Sequence, residues 1–467
     1  MVSEKDLKRR ERILNGNLIN TIIIICAPIF LYNLFNSFYA IIDAVVVSKI
    51  NSTSVSAVAS LSQIQHLLSS LGSGLAAGGG ILVARQFGAG DMDKARLRSN
   101  QTISLATIVI ALLLGICIPF ARPIMRLLGV PDELIEIGTG YFIVQILTLA
   151  FVFYNSVFMA MQKAKGNTKI MFWLNIISMV IKLSLSLLFI EVMEKTDIVW
   201  VAVATMVGQM TMFVVLLLMM LQKDNVFVIK FNEFKLKKTE CREILSMSLP
   251  IFLGKFIFSF GKVSVNAMCK NYGPLVVGAL GVSNNINGMV TTPINSFEEG
   301  TSTIISQNIG ANNPKRAINT FKYSFIMATT LGIIGYILVR FVCQDAIINL
   351  YNQNEAAADT EMFLDLIKNI HGYDSLSILA LAVNSAVLGV LYGFGQTKLT
   401  MVLNISRVFV FRIPVLWYLQ TFHKEIGEEA AGISMGISNI CIAITSLLCL
   451  GFFLLKMKKR GYEKIVK

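Results

Sequence analysis

Ionisable side chains inside apolar stretches are the residues of this sequence best able to do chemistry. An ionised group costs about 3 kcal/mol or more in hydrocarbon, so such residues face a protein interior and find partners there. A carboxylate in that setting can exchange a proton or bind a cation, and a basic group can bind an anion. Paired with each other, these groups can instead be fixed ion pairs. Nine such residues occur: Asp43, Lys182, Lys255, Lys262, Glu298, Glu299, Asp374, Arg407 and Arg412.

Residues suited to other kinds of chemistry are scattered along the chain. The 3 His are far apart, and the 7 Cys include no C-x-x-C pair. This spacing favours neither a metal site nor a disulfide framework. The glycines from Gly72 to Gly80 lack the G-x-x-x-x-G-K-[ST] pattern of a phosphate loop and indicate close helix packing instead. We therefore predict no metal, no organic cofactor and no enzyme activity.

The composition is that of a membrane protein. Hydrophobic residues make up 55% of the 467 residues and charged residues only 15%, against roughly 25% charged in a soluble domain. The mean hydropathy is +0.66. We predict an all-α polytopic membrane protein, because a helix satisfies its own backbone in lipid. Stretches of about 20 apolar residues, enough to cross ~30 Å of hydrocarbon, predict twelve spans: 18–47, 55–84, 99–118, 138–161, 170–190, 198–221, 246–269, 274–305, 321–341, 366–391, 399–420 and 430–455.

Basic residues are concentrated on one side of the predicted spans. The N-terminal segment, alternate loops, the 222–245 segment and the C-terminal tail hold most of the 41 Lys and Arg residues. By the positive-inside rule that side is the cytoplasm, so both termini are cytoplasmic and the number of spans is even. The net charge of +13 then reflects topology and not nucleic-acid binding. We predict a multi-pass protein of the inner (plasma) membrane.

The two halves of the sequence repeat one unit. The interval from Pro28 to Pro250 equals the interval from Gly88 to Gly310, and each of these glycines precedes an alanine. Six spans followed by six in the same orientation make a parallel repeat, which places a substrate site between two lobes that rock against each other. The predicted segments are an N-terminal lobe, 1–221, a cytoplasmic connector, 222–245, and a C-terminal lobe, 246–467.

Several short motifs occur in a fixed order along the chain. They are Pro28 in span 1, Ile41-Ile42-Asp43 at its outer end, Ala57-Val58-Ala59, Gln86 to Gly90, Gly166 to Lys169, Ser406-Arg407 and Arg412 to Pro414. This order resembles the multidrug and toxic compound extrusion (MATE) family over nearly the whole chain. The resemblance implies a V-shaped, two-lobe antiporter that expels organic compounds in exchange for H+ or Na+. We expect a monomer in which Pro28 and Pro250 bend their helices.

Asp43 matches the acid that binds the coupling cation in the N-terminal lobe of the MATE family. The family's partners on span 5 are an Asn and an Asp four residues apart, and here those positions hold Lys182 and Ser186. Helical rise puts Lys182 within reach of Asp43. The ammonium would hold the carboxylate ionised and repel Na+. These ion-coupling candidates therefore form either a structural ion pair or a pair that gates or couples transport.

The C-terminal lobe also departs from the family pattern. Phe258 occupies the position of an acid that some members carry in span 7. We expect Lys255 to pair with Glu298 and Lys262 with Asp374, which would leave a cavity neutral enough for amphipathic cations. Unpaired lysines would make it an anion site. The substrate-cavity candidates are Lys255, Lys262, Asn266, Asn287, Asn295, Glu298, Glu299, Asp374 and Arg407.

These features predict an antiporter, coupled to H+ or Na+, that exports small amphipathic organic compounds across the lipid bilayer. The alternative is a transporter of an anionic metabolite, or a flippase of a lipid-linked phosphorylated sugar. An intramembrane enzyme or a receptor belongs to a different class. The enzyme would need a catalytic constellation at one depth, and the receptor would lack the internal repeat.

Cysteine labelling in a background without the native cysteines tests the predicted orientation. We expect Ser52→Cys and Asp132→Cys to react with an impermeant maleimide outside intact cells, because the basic loops lie on the other side. Asp93→Cys and Asn232→Cys should react only after the membrane is permeabilised. Labelling of Asn232→Cys from outside would contradict twelve spans with both termini in the cytoplasm.

Overall fold

Helices account for nearly all of the structure, a computed structural model that describes residues 3–48, 52–127, 132–193, 197–269, 272–349 and 357–460. Within those ranges there is no β-strand. The helices are α1 Glu4–Asn15, α2 Leu18–Ser48, α3 Ser52–Ala89, α4 Met92–Cys117, α5 Ala121–Leu127, α6 Asp132–Ala164, α7 Thr168–Leu187, α8 Val199–Leu221, α9 Lys238–Cys269, α10 Pro274–Gly310, α11 Pro314–Ile337, α12 Gln344–Asn349, α13 Ala357–Asp374, α14 Ser377–Gly393, α15 Thr397–Ser406, α16 Ile413–Phe422 and α17 Glu429–Arg460. Short π-helical segments, Leu188–Val192, Leu338–Val342 and Arg407–Arg412, continue α7, α11 and α15.

Ten helices in the described part of the chain are long and apolar enough to cross a membrane, and the bent pair of α13 and α14 adds an eleventh. The two helices of that pair meet at 44°. The remaining predicted span, 274–305, falls on the continuous helix α10, whose Asn, Thr and Glu side chains leave it outside that group. All twelve predicted spans thus fall on helices, and the predicted all-α polytopic fold is confirmed.

Close approaches between Cα atoms divide the chain into two compact units. They are unit 1, Met1–Asn17 with Phe35–Phe252, and unit 2, Leu18–Leu34 with Leu253–Lys467. One boundary lies at the start of α2, one inside α2 and one inside α9, and these are the first long helices of the two sequence repeats. Both helices continue through their prolines, Pro28 and Pro250. The bends expected there stay predictions, as do the lobes 1–221 and 246–467 and the connector 222–245.

Glycines of α3 let neighbouring helices of unit 1 approach closely. A Cβ atom on Gly72 would overlap the ring of Phe153 on α6. One on Gly78 would lie 2.7 Å from the Cα of Ser248 on α9, closer than Cβ atoms come to backbone. The glycine-rich run is therefore a packing surface, as predicted from the sequence.

The N-terminal helix α1 packs against the ends of α3 and α6 in unit 1. Arg10 donates from Nε to the carbonyl of Phe87 and from Nη2 to the carbonyl of Gly88, each at 2.8 Å. These carbonyls lie at the C-terminal end of α3, where carbonyl groups lack the usual i+4 partner, and the Phe87 carbonyl also accepts from the Gly90 N–H at 3.2 Å. Asp6 is buried and accepts a hydrogen bond from Lys165 Nζ at 3.3 Å. Burial lowers the pKa of Lys165, and the Asp6 carboxylate opposes that shift.

The connector between the sequence halves is bound to α4. Arg98 on α4 is 3% exposed, and its guanidinium donates to Glu240 at 2.9 Å and to Glu243, both in the first turns of α9. Gln101, one turn further along α4, donates to the backbone carbonyl of Glu233 at 2.6 Å. The connector is rich in basic residues, but its acidic residues Glu240 and Glu243 are the ones that bind it to α4.

Replacement of Arg98 by Met should lower stability, because it leaves a largely buried Glu240 without its partner. We expect a loss of about 3 kcal/mol, the lower end of the range for a broken buried pair, since Glu243 is more exposed. The control is Lys8→Met, whose partner Glu4 lies 2.6 Å away in a pair with 70% and 80% of the side chains exposed. Such a surface pair contributes less than about 1 kcal/mol.

Thermal unfolding of both variants in detergent, followed by Trp fluorescence, measures the difference. Equal melting temperatures for Arg98→Met and Lys8→Met would contradict the role given to Arg98.

Candidate functional site

The π-helical segment Arg407–Arg412 positions two arginines of unit 2. A π-helix bonds residue i to residue i+5, so side chains five residues apart lie on one face. Arg407 Nε donates to Asn439 Oδ1 on α17 at 2.7 Å, and Arg412 Nη2 donates to the same oxygen at 3.1 Å. Arg412 is 1% exposed and also donates from Nε to Ser438 Oγ at 3.1 Å. One amide oxygen thus binds both guanidinium groups.

Asp374 lies at the bend between α13 and α14, and its side chain is buried. Its Oδ2 accepts hydrogen bonds from Ser283 Oγ at 3.0 Å and Asn287 Nδ2 at 2.8 Å, and its Oδ1 accepts one from Ser377 Oγ at 2.8 Å. Ser377 in turn accepts a hydrogen bond from Asn439 Nδ2 at 2.7 Å. A chain of hydrogen bonds therefore links the carboxylate to the amide that binds both arginines.

Lys262 on α9 lies beside an aromatic ring and not beside a carboxylate. Its Nζ is 5.0 Å from the centroid of the Phe258 ring, and the Cζ of Arg407 is 4.8 Å from the same centroid. Among the described residues Lys262 forms no ion pair, so the expected pair with Asp374 is wrong. Neutral hydroxyl and amide donors already satisfy the carboxylate, and the face of the ring attracts the ammonium.

The other cavity candidates lie on α9 and α10 without forming the expected pair. Lys255 is half-buried and has no hydrogen bond or ion pair within the described ranges, whereas Glu298 and Glu299 are half-buried and each has a partner. The pair of Lys255 with Glu298 is therefore absent, because α10 packs chiefly against α11, α13 and α14. Asn266 is half-buried on α9, and Asn295 is exposed on α10.

The ion-coupling candidates fall on two helices of unit 1. Asp43 is in α2, but its side chain lies outside the described residues. Lys182 is half-buried on α7 and is not free of partners. Ser186 follows one turn later and is buried, and its Oγ has no hydrogen-bond partner in the part of the chain that the structure describes. The pairing of Lys182 with Asp43 stays a prediction.

The network of unit 2 extends beyond the candidates chosen from the sequence. Arg412 had a detectable signal, since it is a basic residue inside an apolar stretch. The hydroxyl and amide residues had none, because such side chains are common wherever membrane helices meet. The additional members are Phe258, Ser283, Ser377, Arg412, Ser438 and Asn439.

An all-helical polytopic fold with a duplicated sequence and charged groups inside its helices is that of a membrane transporter. The MatE family model matches residues 28–188 and, again, residues 250–418. The two matches begin at Pro28 and at Pro250, the pair of prolines that marks the repeat in the sequence, which confirms the internal repeat. The chain belongs to the MatE family.

Two bacterial relatives match most of the chain. The probable multidrug resistance protein YoeA of Bacillus subtilis (strain 168) is 21% identical over 94% of this chain and 94% of that protein. The multidrug export protein MepA of Staphylococcus aureus (strain N315) is 20% identical over 86% of this chain and 87% of that protein. These names describe drug resistance and export and not an enzyme, which agrees with the prediction for this chain.

Solved structures share the fold. A crystal structure of MATE in complex with MaL6 matches with a TM-score of 0.90 and 17% identity, over 96% of this chain and 99% of that one. A MOP superfamily transporter from Pyrococcus furiosus, described as having a binding pocket of reverse polarity, also matches with a TM-score of 0.90 and 17% identity, over 98% and 99%. At this identity the likeness establishes the fold alone, and it confirms the predicted two-lobe transporter fold.

Asp374→Asn should destabilise unit 2, because an amide cannot accept at both of its atoms. At least one buried donor among Ser283, Asn287 and Ser377 then loses its acceptor, at a cost of about 1–3 kcal/mol. The control is Asp345→Asn, in a pair with Lys368 whose side chains are 77% and 56% exposed. Thermal unfolding in detergent should show a lower melting temperature for Asp374→Asn alone. An unchanged melting temperature for that variant would contradict the network.

Proposed function

We propose that the chain is an ion-coupled antiporter of the plasma membrane that exports small amphipathic organic compounds in exchange for H+ or Na+. The observation that carries the proposal is the match of the MatE family to both halves of the chain. Relatives named for multidrug resistance and multidrug export support an organic substrate and the direction of transport. Ionisable groups inside the helices of both sequence halves support coupling to an ion gradient.

The proposed coupling site is formed by Asp43, Lys182 and Ser186. A carboxylate next to an ammonium is neutral as a pair, so an entering ion must either protonate the carboxylate or displace the ammonium. Ser186 adds a buried hydroxyl oxygen one turn from Lys182. An ion that breaks the pair changes the attraction between α2 and α7, and so favours one conformation over the other.

Purified protein in liposomes tests the proposal. A cationic dye, ethidium, and an anionic dye, 8-anilinonaphthalene-1-sulfonate, are offered under an imposed H+ gradient and, separately, under an imposed Na+ gradient. We expect at least one gradient to drive movement of an amphipathic dye against its concentration. The driving gradient identifies the coupling ion. The absence of gradient-driven movement for both dyes would overturn the proposal.

Two variants test the coupling site in the same liposomes. Lys182→Ala leaves an uncompensated carboxylate, so we expect gradient-driven flux to fall at least tenfold or to change its pH dependence. Lys182→Asn combined with Ser186→Asp restores the residue types of the family and should change the ion requirement. The control is Lys8→Ala, at an exposed position of α1. An identical ion requirement in all of these proteins would exclude this group from coupling.

A further inference from the structure

We propose that unit 2 contains a binding site for the negatively charged group of an amphipathic organic anion, formed by Lys262 and Arg407 beside Phe258. The inference rests on the proposed function, because it names the charge of the exported compound. It begins from the two cations that share one aromatic ring.

Positive charge is in excess around this ring. Lys262, Arg407 and Arg412 are basic, whereas Asp374 is the carboxylate joined to the arginines by hydrogen bonds through a serine and an asparagine. None of the three basic groups forms an ion pair within the described ranges. If Asp374 balances one of them, two positive charges remain inside the helices, which is a costly arrangement in a membrane. An anionic ligand supplies the missing charge.

The side chains of Lys262 and Arg407 are placed to bind one anion together. The Nζ of Lys262 lies 5.0 Å and the Cζ of Arg407 lies 4.8 Å from one ring centroid, so both charged groups neighbour the same aromatic ring. Arg407 donates to Asn439 through Nε alone, which leaves its terminal amino groups to donate elsewhere. Lys262 is exposed and keeps its three donors. A carboxylate, sulfonate or phosphate between these groups accepts hydrogen bonds from both.

Phe258 supplies the apolar surface of the site. Its ring is half-buried and neighbours both basic side chains, so the organic body of a ligand can pack beside it. Arg412 is a positioning residue, because it is buried and binds the same amide oxygen that fixes Arg407. The arrangement favours an anion over a neutral analogue, and a neutral analogue over a cation.

Two aromatic probes test this preference in the unchanged protein. 8-Anilinonaphthalene-1-sulfonate and N-phenyl-1-naphthylamine share one ring system and differ in the sulfonate. Equilibrium dialysis of purified protein in non-ionic detergent, against protein-free micelles, measures their binding. We expect the sulfonate to bind at least about tenfold more tightly than the neutral amine, and ethidium to bind more weakly than both. Equal or reversed affinities would overturn the proposal without any variant being needed.

Substitutions then locate the site. Lys262→Gln and Arg407→Gln should each weaken sulfonate binding about tenfold and leave binding of the neutral amine unchanged. Lys262→Arg keeps the charge and should keep the sulfonate affinity. The control is Lys368→Gln, at an exposed lysine of the same unit. An equal loss of both probes, or the same loss in the control, would overturn the proposal.

A lipid headgroup and a soluble compound can present the same anionic chemistry, and competition distinguishes them. Displacement of the sulfonate by phosphatidylglycerol but not by phosphatidylcholine, lost in Lys262→Gln, would support the site with a headgroup as its occupant. A sulfonate preference without displacement by lipid would support it with a soluble organic anion.

The liposome results separate this inference from the antiporter proposal. Gradient-driven export of ethidium by a protein that binds the sulfonate no better than the amine would overturn the anion site alone. A sulfonate preference that depends on Lys262, without gradient-driven movement of either dye, would support the anion site and overturn the antiporter.

Discussion

Burial of charge inside apolar helices is the constraint on which the rest of this structure depends. A guanidinium in a membrane span must find acceptors, and Arg412 finds them on α17, in Ser438 and Asn439. The π-helical segment turns Arg407 toward the same amide, so one Asn serves two cations. Arg407, Arg412 and Asp374 are therefore satisfied by neutral groups and not by opposite charges.

These neutral partners determine the electrostatics of the site. Asp374 receives hydrogen bonds from two hydroxyl groups and an amide, so it does not need Lys262 as a partner. Lys262 consequently lies near the ring of Phe258. Phe258 is the residue that stands where the family resemblance places an acid. An aromatic residue in that position removes a negative charge and leaves a surface that attracts positive groups of the protein itself. The excess of positive charge follows because Asp374 is bonded to neutral donors and because Phe258 stands in place of an acid.

Charged side chains near the helix ends of unit 1 have partners of a different kind. There, ion pairs of opposite sign occur, between Arg98 and Glu240 and between Lys165 and Asp6. These pairs fasten the connector and α1 to the helices, and the glycines of α3 allow the close packing beside them. Charged side chains thus have neutral partners within the membrane-spanning segments and charged partners near the helix ends. The cost of burying ions in hydrocarbon predicts this difference.

The sequence alone predicted where the apolar helices lie and that the chain is duplicated, because the length of an apolar stretch and a constant offset between the two halves are one-dimensional properties of the chain. It also identified most of the charged residues inside the spans, since each interrupts an apolar run. It paired Lys262 with Asp374 from depth along two helices, and that ion pair was wrong. Depth does not specify which helices are neighbours or which face each one turns inward. The contacts of Asn439 with Arg407 and of Ser283 with Asp374 needed the tertiary structure, because they join different helices through short-range hydrogen bonds.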